Sequence, residues 1–207
     1  SPDYDIMWCV MPSLVHFGYK DGVLTYRPTV FVEKVEQRDP LHIDFTLKPG
    51  FKWTNGFGEL SAEDVKYSYE RMKVSEWKGF FDALDRVDVH DKYSGTIVLK
   101  IPFAPFMVAT LAAGTGVILC KKATESVGGK FTTELPASCG PYVHEWRQKQ
   151  WVKFRPNPEW TGPKPAYEEI DAVFVHEDTA AALAYEAGEV AITKIVPNTY
   201  KRYLSNP

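Results

Sequence analysis

Chemistry in this chain has few candidate carriers: five histidines, three cysteines and six tryptophans among 207 residues. His16, His42, His90, His144 and His176 are scattered, and none lies at the helical spacing that sets two rings on one zinc ion. His144-Glu145 and His176-Glu177-Asp178 are adjacent groups; neighbours along a strand point to opposite faces, so neither chelates one ion and both read as solvent-facing. No serine sits in a G-x-S-x-G elbow, and Cys139 has no base placed near it by sequence, so nucleophilic catalysis finds no support. Gly128-Gly129-Lys130-Phe131-Thr132 has the outline of a phosphate loop, but it lacks the upstream glycine and carries Phe131 where a hydroxyl should hold magnesium. Cys9, Cys120 and Cys139 allow at most one bridge and lack the paired spacing of a zinc site, so they read as buried thiols. No catalytic residue, metal site or cofactor is expected. The tryptophans suit ligand stacking, yet Trp53, Trp146 and Trp160 read first as core, which leaves Trp8 the more open one.

Composition narrows the partners. Hydrophobic residues make up 44% of the chain and the net charge is −3 with acids and bases interspersed. That is enough apolar surface for a sizeable core, with no electrostatic footprint for nucleic acid or an anionic membrane. No apolar run approaches the roughly 20 residues of a membrane helix. The chain opens on Ser1-Pro2-Asp3-Tyr4-Asp5 without a basic region, so any export signal is expected to lie outside this stretch.

The elements that must position such side chains are organised around Phe45 to Arg71. Leu41, Ile43, Phe45 and Leu47 alternate with His42, Asp44, Thr46 and Lys48, which predicts a half-buried strand turning at Pro49-Gly50. Asn55-Gly56 is a turn, since both residues tolerate positive φ. Ser61 then stands at an N-cap with Asp64 three residues on, and Ala62, Val65, Tyr69 and Met72 form the inward stripe of a helix. Elsewhere a first helix ends near Pro12, Val87–Val89 and Thr96–Ile101 form a hairpin, and Phe106–Ala113 reads as an apolar helix. Val117–Leu119 reads as a short strand and Lys121–Leu135 as a surface loop. Val143–Trp146 and Trp151–Arg155 form a second hairpin, a capped helix covers Asp178–Tyr185, and another is expected within Pro197–Leu204.

The wording of these segments is more particular than their pattern. Phe45-Thr46-Leu47-Lys48-Pro49-Gly50-Phe51-Lys52-Trp53, Asn55-Gly56 and Ser61-Ala62-Glu63-Asp64-Val65 through Arg71 together resemble the signature of the family 5 extracellular solute-binding proteins, receptors of ABC importers for peptides, nickel and oligosaccharides. Lys100-Ile101-Pro102-Phe103-Ala104-Pro105-Phe106, Gly140-Pro141-Tyr142, Asn157-Pro158 to Pro165 and Glu189-Val190-Ala191-Ile192 resemble further motifs of that family in the same order. Departures occur at Ser138 and Cys139, where the family has glycine and threonine, and at Ala191, where it has aspartate.

The resemblance implies a mixed α/β fold of the type II periplasmic-binding-protein kind, here lobe I only with an inserted subdomain. Residues 1–26 and 140–207 would form the base, 27–139 the insertion, and the second lobe would be absent. It implies an extracytoplasmic receptor, periplasmic or lipid-anchored, monomeric, that captures a small solute, an oligopeptide first, between two lobes for a membrane permease. A solute-sensing domain of a transcription regulator and an oligosaccharide receptor are the alternatives. By the same resemblance three stretches face the ligand: Cys9 to Ser13 with Trp8 beside them, Ala113 to Gly116, and Ser138-Cys139. The implied ligand-binding residues are Trp8, Cys9, Met11, Ser13, Gly114, Thr115, Ser138 and Cys139.

Overall fold

Alternation over residues 41–47 becomes a strand because every second side chain has a core to enter. The computed structural model describes residues 2–130, 134–194 and 200–204. Helix α1 (Pro2–Val10) stops before Pro12, and β1 (Val15–Lys20) pairs antiparallel with β2 (Val23–Pro28) over an Asp21-Gly22 turn whose φ angles are 52° and 77°. Then follow β3 (Val32–Asp39), β4 (His42–Leu47), the short pair β5 (Lys52–Trp53) and β6 (Gly58–Glu59), α2 (Ala62–Met72), β7 (Leu84–Val89) and β8 (Ser94–Leu99).

Strands β3, β4, β8 and β7, in that order, make an antiparallel sheet. Ile43, Phe45 and Leu47 of β4, Ile97 and Leu99 of β8, and Leu84 and Val87 of β7 are buried in one core with Ala62, Val65 and Tyr69 of α2. Each of the Val, Leu, Ile and Phe side chains contributes about 1.5–3 kcal/mol when fully buried. Phe45 faces Gly95 across the strands, and a Cβ on Gly95 would lie 2.8 Å from the Phe45 ring and 2.7 Å from the Asp88 carbonyl oxygen. Only glycine fits there. The outer edge of β7 is covered by side chains of α2 and of Lys73 just after it: Glu70 accepts from the Val87 N–H at 2.9 Å, Lys66 donates to the Val87 carbonyl at 2.7 Å, and Lys73 donates to the Asp85 carbonyl. A sheet edge satisfied in this way is not offered to another chain.

The predicted cap on α2 is present. The Asp64 carboxylate accepts from the Ser61 N–H and hydroxyl, both at 2.9 Å, from the Trp53 indole N–H at 3.3 Å and from the Lys121 N–H at 2.8 Å. Asn55 (φ 61°) and Gly56 (φ 74°) make the turn ahead of it. Farther along, a π-type turn spans Phe106–Leu111 where an apolar α-helix was expected, with the Ala112 N–H reaching the Met107 carbonyl at 3.0 Å. The expected strand at Val117–Leu119 reduces to a single bridge between Ser13 and Val117. Part of the expected loop at Lys121–Leu135 is a helix, α3 (Lys121–Ser126); residues 131–133 lie outside the described residues. Its start is fixed by Asp64 on the Lys121 N–H and by the Cys120 sulfur on the Ala123 N–H at 3.5 Å, and burial of Ala123 and Thr124 holds it.

By its contacts the chain forms two units, residues 1–144 with 154–169 and residues 145–153 with 170–207. The hairpin of β9 (Tyr142–Arg147) and β10 (Trp151–Pro156) contributes residues to each. In the first unit, Trp160 packs with Phe31 and Phe51 at ring-centroid distances of 5.6 and 5.4 Å, and the Asn157 side-chain amide donates to the Gly140 carbonyl at 2.9 Å. The second holds β11 (Ile170–Val173), α4 (Asp178–Glu186) and α5 (Tyr200–Leu204). β11 is the outer strand beside β10. The cap expected at the start of α4 is missing, since Glu177 makes no side-chain capping bond. Residues 197–199 of the last expected helix lie outside the described residues.

Replacing Asp64 by asparagine keeps the shape but turns an amide NH2 toward donors. The expected cost is about 3 kcal/mol of stability, read as a lower urea midpoint by far-ultraviolet circular dichroism. An unchanged midpoint would mean that the carboxylate is not a structural tie.

Candidate functional site

The three stretches implied by sequence are brought together, and α2 is what fastens them. Asp64, Ser68 and Tyr69 each bond the segment that follows Ala113: Tyr69 donates its hydroxyl to the Gly116 carbonyl at 3.2 Å, Ser68 accepts from the Leu119 N–H at 2.8 Å, and Asp64 takes the Lys121 N–H. That segment in turn holds the end of the α1 stretch, through the Ser13–Val117 bridge and a bond from the Ile118 N–H to the Pro12 carbonyl at 2.7 Å. From the other side, the Val10 carbonyl accepts from both the Cys139 and Gly140 N–H groups, at 3.0 and 2.9 Å. Ser138 is pinned to Thr54, whose N–H reaches the Ser138 carbonyl at 2.9 Å while its hydroxyl accepts from the Ser138 N–H at 3.0 Å.

Gly140 makes a close backbone approach. A Cβ there would meet the Cys9 carbonyl oxygen at 2.6 Å and the Val10 backbone at 2.7 Å, so the residue is required by space.

Most of the implied residues lie inside this junction. Met11, Ser13, Gly114, Thr115, Ser138 and Cys139 are buried, whereas Trp8 and Cys9 are partly exposed. The Ser13 hydroxyl is buried and finds no hydrogen-bond partner among the described residues. Thr115 donates to the Thr110 carbonyl at 2.9 Å. Trp8 meets His16 edge-on at a ring-centroid distance of 5.0 Å and Phe17 at 6.2 Å. His16 is therefore part of this surface although its sequence gave no sign of it; only the fold sets β1 against α1. Burial, with the Arg27 guanidinium across the strand pair, holds the His16 imidazole below the usual histidine range. None of the eight residues carries a formal charge, so the surface offers shape, backbone groups and aromatic area.

Thiol and triad chemistry are disfavoured by geometry. Burial pushes the Cys120 thiol up to about 11 and the Cys139 thiol higher still, so both are protonated near neutral pH and neither is a ready nucleophile or metal ligand. None of the three cysteines is in a disulfide. His90, Thr96 and Asp44 stand in line, with His90 Nε2 2.9 Å from the Thr96 hydroxyl. That hydroxyl donates to Asp44 at 2.6 Å, so the imidazole can only donate to it and cannot act as its base. His176 is exposed as expected, but His144 is half-buried. Among the described residues no group of three or more histidines, cysteines and acids is arranged for a metal ion. A recess of about 620 Å³ over α2 and α3 is lined by residues that include Ser61, Asp64, Lys122 and Glu125, and four of its charges are paired internally, as Lys92–Glu59 (2.7 Å) and Lys121–Glu63 (3.1 Å).

Comparison with known proteins identifies the family. A family model described as bacterial extracellular solute-binding proteins, family 5 Middle, matches residues 25–207. The probable D,D-dipeptide-binding periplasmic protein DdpA of Escherichia coli K12 is 28% identical over 160 residues, which is 74% of this chain and 31% of that protein. Among solved structures, the PBP/SBP MoaA of A. tumefaciens R10 in complex with mannopinic acid superposes with a TM-score of 0.78 at 25% identity, over 100% of this chain and 43% of that one. The oligopeptide-binding protein AppA of Bacillus subtilis, in complex with a nonapeptide, gives 0.80 at 22% identity, over 99% and 42%. The chain thus spans well under half the length of the proteins it matches.

Substituting Gly140 by alanine is expected to cost about 2 kcal/mol, because the Val10 carbonyl must retreat from its two donors. Gly79, with open space around it, serves as the control and should change stability by no more than about 0.5 kcal/mol on the same substitution. Equal urea midpoints for the two variants would remove the steric argument. Acidification tests the imidazoles. The folded values of His16 and His144 lie below 6.5, so the unfolded chain binds more protons as pH falls through 6.5. Stability should therefore drop from about pH 7 downward and level off below the depressed folded values, and a variant carrying His16→Gln and His144→Gln should lose that slope in a pH series of melting temperatures.

Proposed function

The chain belongs to the bacterial extracellular solute-binding proteins of family 5, and from that premise we propose that it is the ligand-facing lobe of an extracytoplasmic receptor of an ABC importer. The receptor captures a small solute between two lobes, closes by hinge motion and passes the solute to the membrane permease. An oligopeptide is the favoured cargo, since DdpA and AppA are named for peptides; the mannopinic acid bound to MoaA keeps other small solutes in the test. The observation that carries this reading is the convergence of three separate stretches, residues 9–13, 113–116 and 138–139, on one junction framed by the family motif.

In this reading Trp8 and Cys9, with His16 beside them, touch the ligand. Met11, Ser13, Gly114, Thr115, Ser138 and Cys139 set the contour beneath them. An uncharged surface of this kind takes the backbone or apolar part of a solute, and the charged ends are read by the opposing lobe. No bond is made or broken; ligand binding energy drives closure. The receptor acts as a monomer, outside the cytoplasmic membrane.

A thermal-shift screen of the complete gene product, with the 207-residue chain alongside, tests the reading against dipeptides, oligopeptides, oligosaccharides and nickel complexes. A ligand held by the native state raises its melting temperature; at a hundredfold excess over Kd the gain is about 2.7 kcal/mol. Stabilisation of the complete product by one class, lost on Trp8→Ala, is expected, with the 207-residue chain unmoved. Tight binding by the 207-residue chain alone would overturn the two-lobe mechanism.

A further inference from the structure

A groove of about 370 Å³ opens at one end of the four-stranded sheet, between Gln37, Asp39 and Pro40 at the β3–β4 turn and Pro102, Phe103 and Ala104 after β8. Both walls belong to the first unit and each is fastened by its own bonds: the Leu41 N–H donates to Asp39 Oδ1 at 2.9 Å, the Leu99 N–H reaches the Leu41 carbonyl at 2.8 Å, and the Phe106 N–H reaches the Phe103 carbonyl at 3.0 Å. A proline in each wall fixes φ, so the shape is set before anything enters. Of the lining side chains only Gln37 and Asp39 are polar. The register of β3 on β4 slips between Gln37 and Asp39, an irregularity of the kind that re-aims a side chain beside a binding site. Asp39 is charged near neutral pH, since the Leu41 N–H and then the His42 ring at 2.9 Å hold its carboxyl below the usual carboxylate range. Its nearest cation is divided: the Arg38 guanidinium lies 3.8 Å from Asp39 but 3.3 Å from Asp44, and one positive charge shared by two carboxylates leaves negative charge in excess beside the groove. Phe103 is 37% exposed and Ile101, just before it, 54%.

We propose that this groove binds a small organic cation, an alkylammonium or guanidinium head on a short apolar stem, with the head against Asp39 and the stem along Phe103 and the two prolines. Charge selects the sign of the head, and an exposed phenyl ring attracts a cation through its π face. The Gln37 side-chain oxygen is a further acceptor for the N–H groups of the head. An anion of the same size meets the Asp39 charge and is refused. None of the lining residues belongs to the three stretches of the candidate ligand surface, so the assignment stands whichever solute the receptor carries.

Its test is a magnetic-resonance titration of the 207-residue chain with n-butylammonium, and with butyrate and butanol at the same concentrations. Butylammonium is expected to shift the amide signals of Gln37, Asp39, Phe103 and Ala104 saturably, while butyrate and butanol leave them in place. Asp39→Asn keeps an oxygen for the Leu41 N–H and removes only the charge, so the melting temperature should hardly change while the affinity for butylammonium falls several-fold. Phe103→Ala should weaken binding as well, and by less. N-acetyl-lysine amide separates two sources of the same chemistry: a response equal to that of butylammonium assigns the head to a lysine side chain, and no response assigns it to a free amine. Butanol shifting the same signals as strongly would reduce the site to an apolar crevice. An affinity untouched by Asp39→Asn, or shifts scattered over the whole surface, would remove the carboxylate from recognition. Each of these last three results overturns the proposal, and none bears on the ligand screen.

Discussion

One buried carboxylate holds the first unit in register. Asp64 is 5% exposed and is surrounded by donors from three parts of the chain: its own helix cap at Ser61, the β5 strand at Trp53 and the start of α3 at Lys121. A charged acceptor removed from water is tolerated only when its lone pairs are filled, and here they are filled by groups that would otherwise be orphaned themselves. The acid at this helix position therefore does more than cap a helix. It fixes the separation between the turn at Asn55-Gly56 and the segment after Gly116, and those two elements carry the second and third candidate stretches. Ser68 and Tyr69 extend the same attachment along one face of α2.

What was legible in the sequence was local. The alternation of β4, the positive φ at Asn55-Gly56, the Ser61–Asp64 cap and the two hairpins each depend on residues within a few positions of one another, so residue type and spacing suffice to read them. The start of α3 depends on an acid 57 positions upstream, and the turn at Gly114–Gly116 on a tyrosine 47 positions before its last residue. A pattern confined to a short window cannot carry such information, which is why residues 121–126 read as a loop. The burial of the candidate site was hidden for the same reason. Ser13 and Ser138 look like accessible polar residues until the strands and loops that cover them are in place, whereas the burial of Cys139 was expected from its residue type.

Family wording and local physics met at the same residues. Gly140 belongs to a recognisable Gly-Pro-Tyr motif and is also the point at which two backbones approach too closely for a Cβ. Trp160 belongs to another motif and is the ring that closes over Phe31 and Phe51. The motifs are thus chiefly statements about how loops are held. They say less about what the loops touch, which explains why the fold could be read from them with ease while His16 at the open surface went unnoticed.

The double acceptance at the Val10 carbonyl has a consequence for how the surface is framed. The stretch from Val10 to Ser13 is held through its main chain, by Cys139, Gly140, Ile118 and the Thr29 hydroxyl on the Ser13 carbonyl, as well as by burial of its side chains. A frame built in this way ties the path of the chain at this point to main-chain hydrogen bonds, so its shape is set apart from the chemistry of the neighbouring surface.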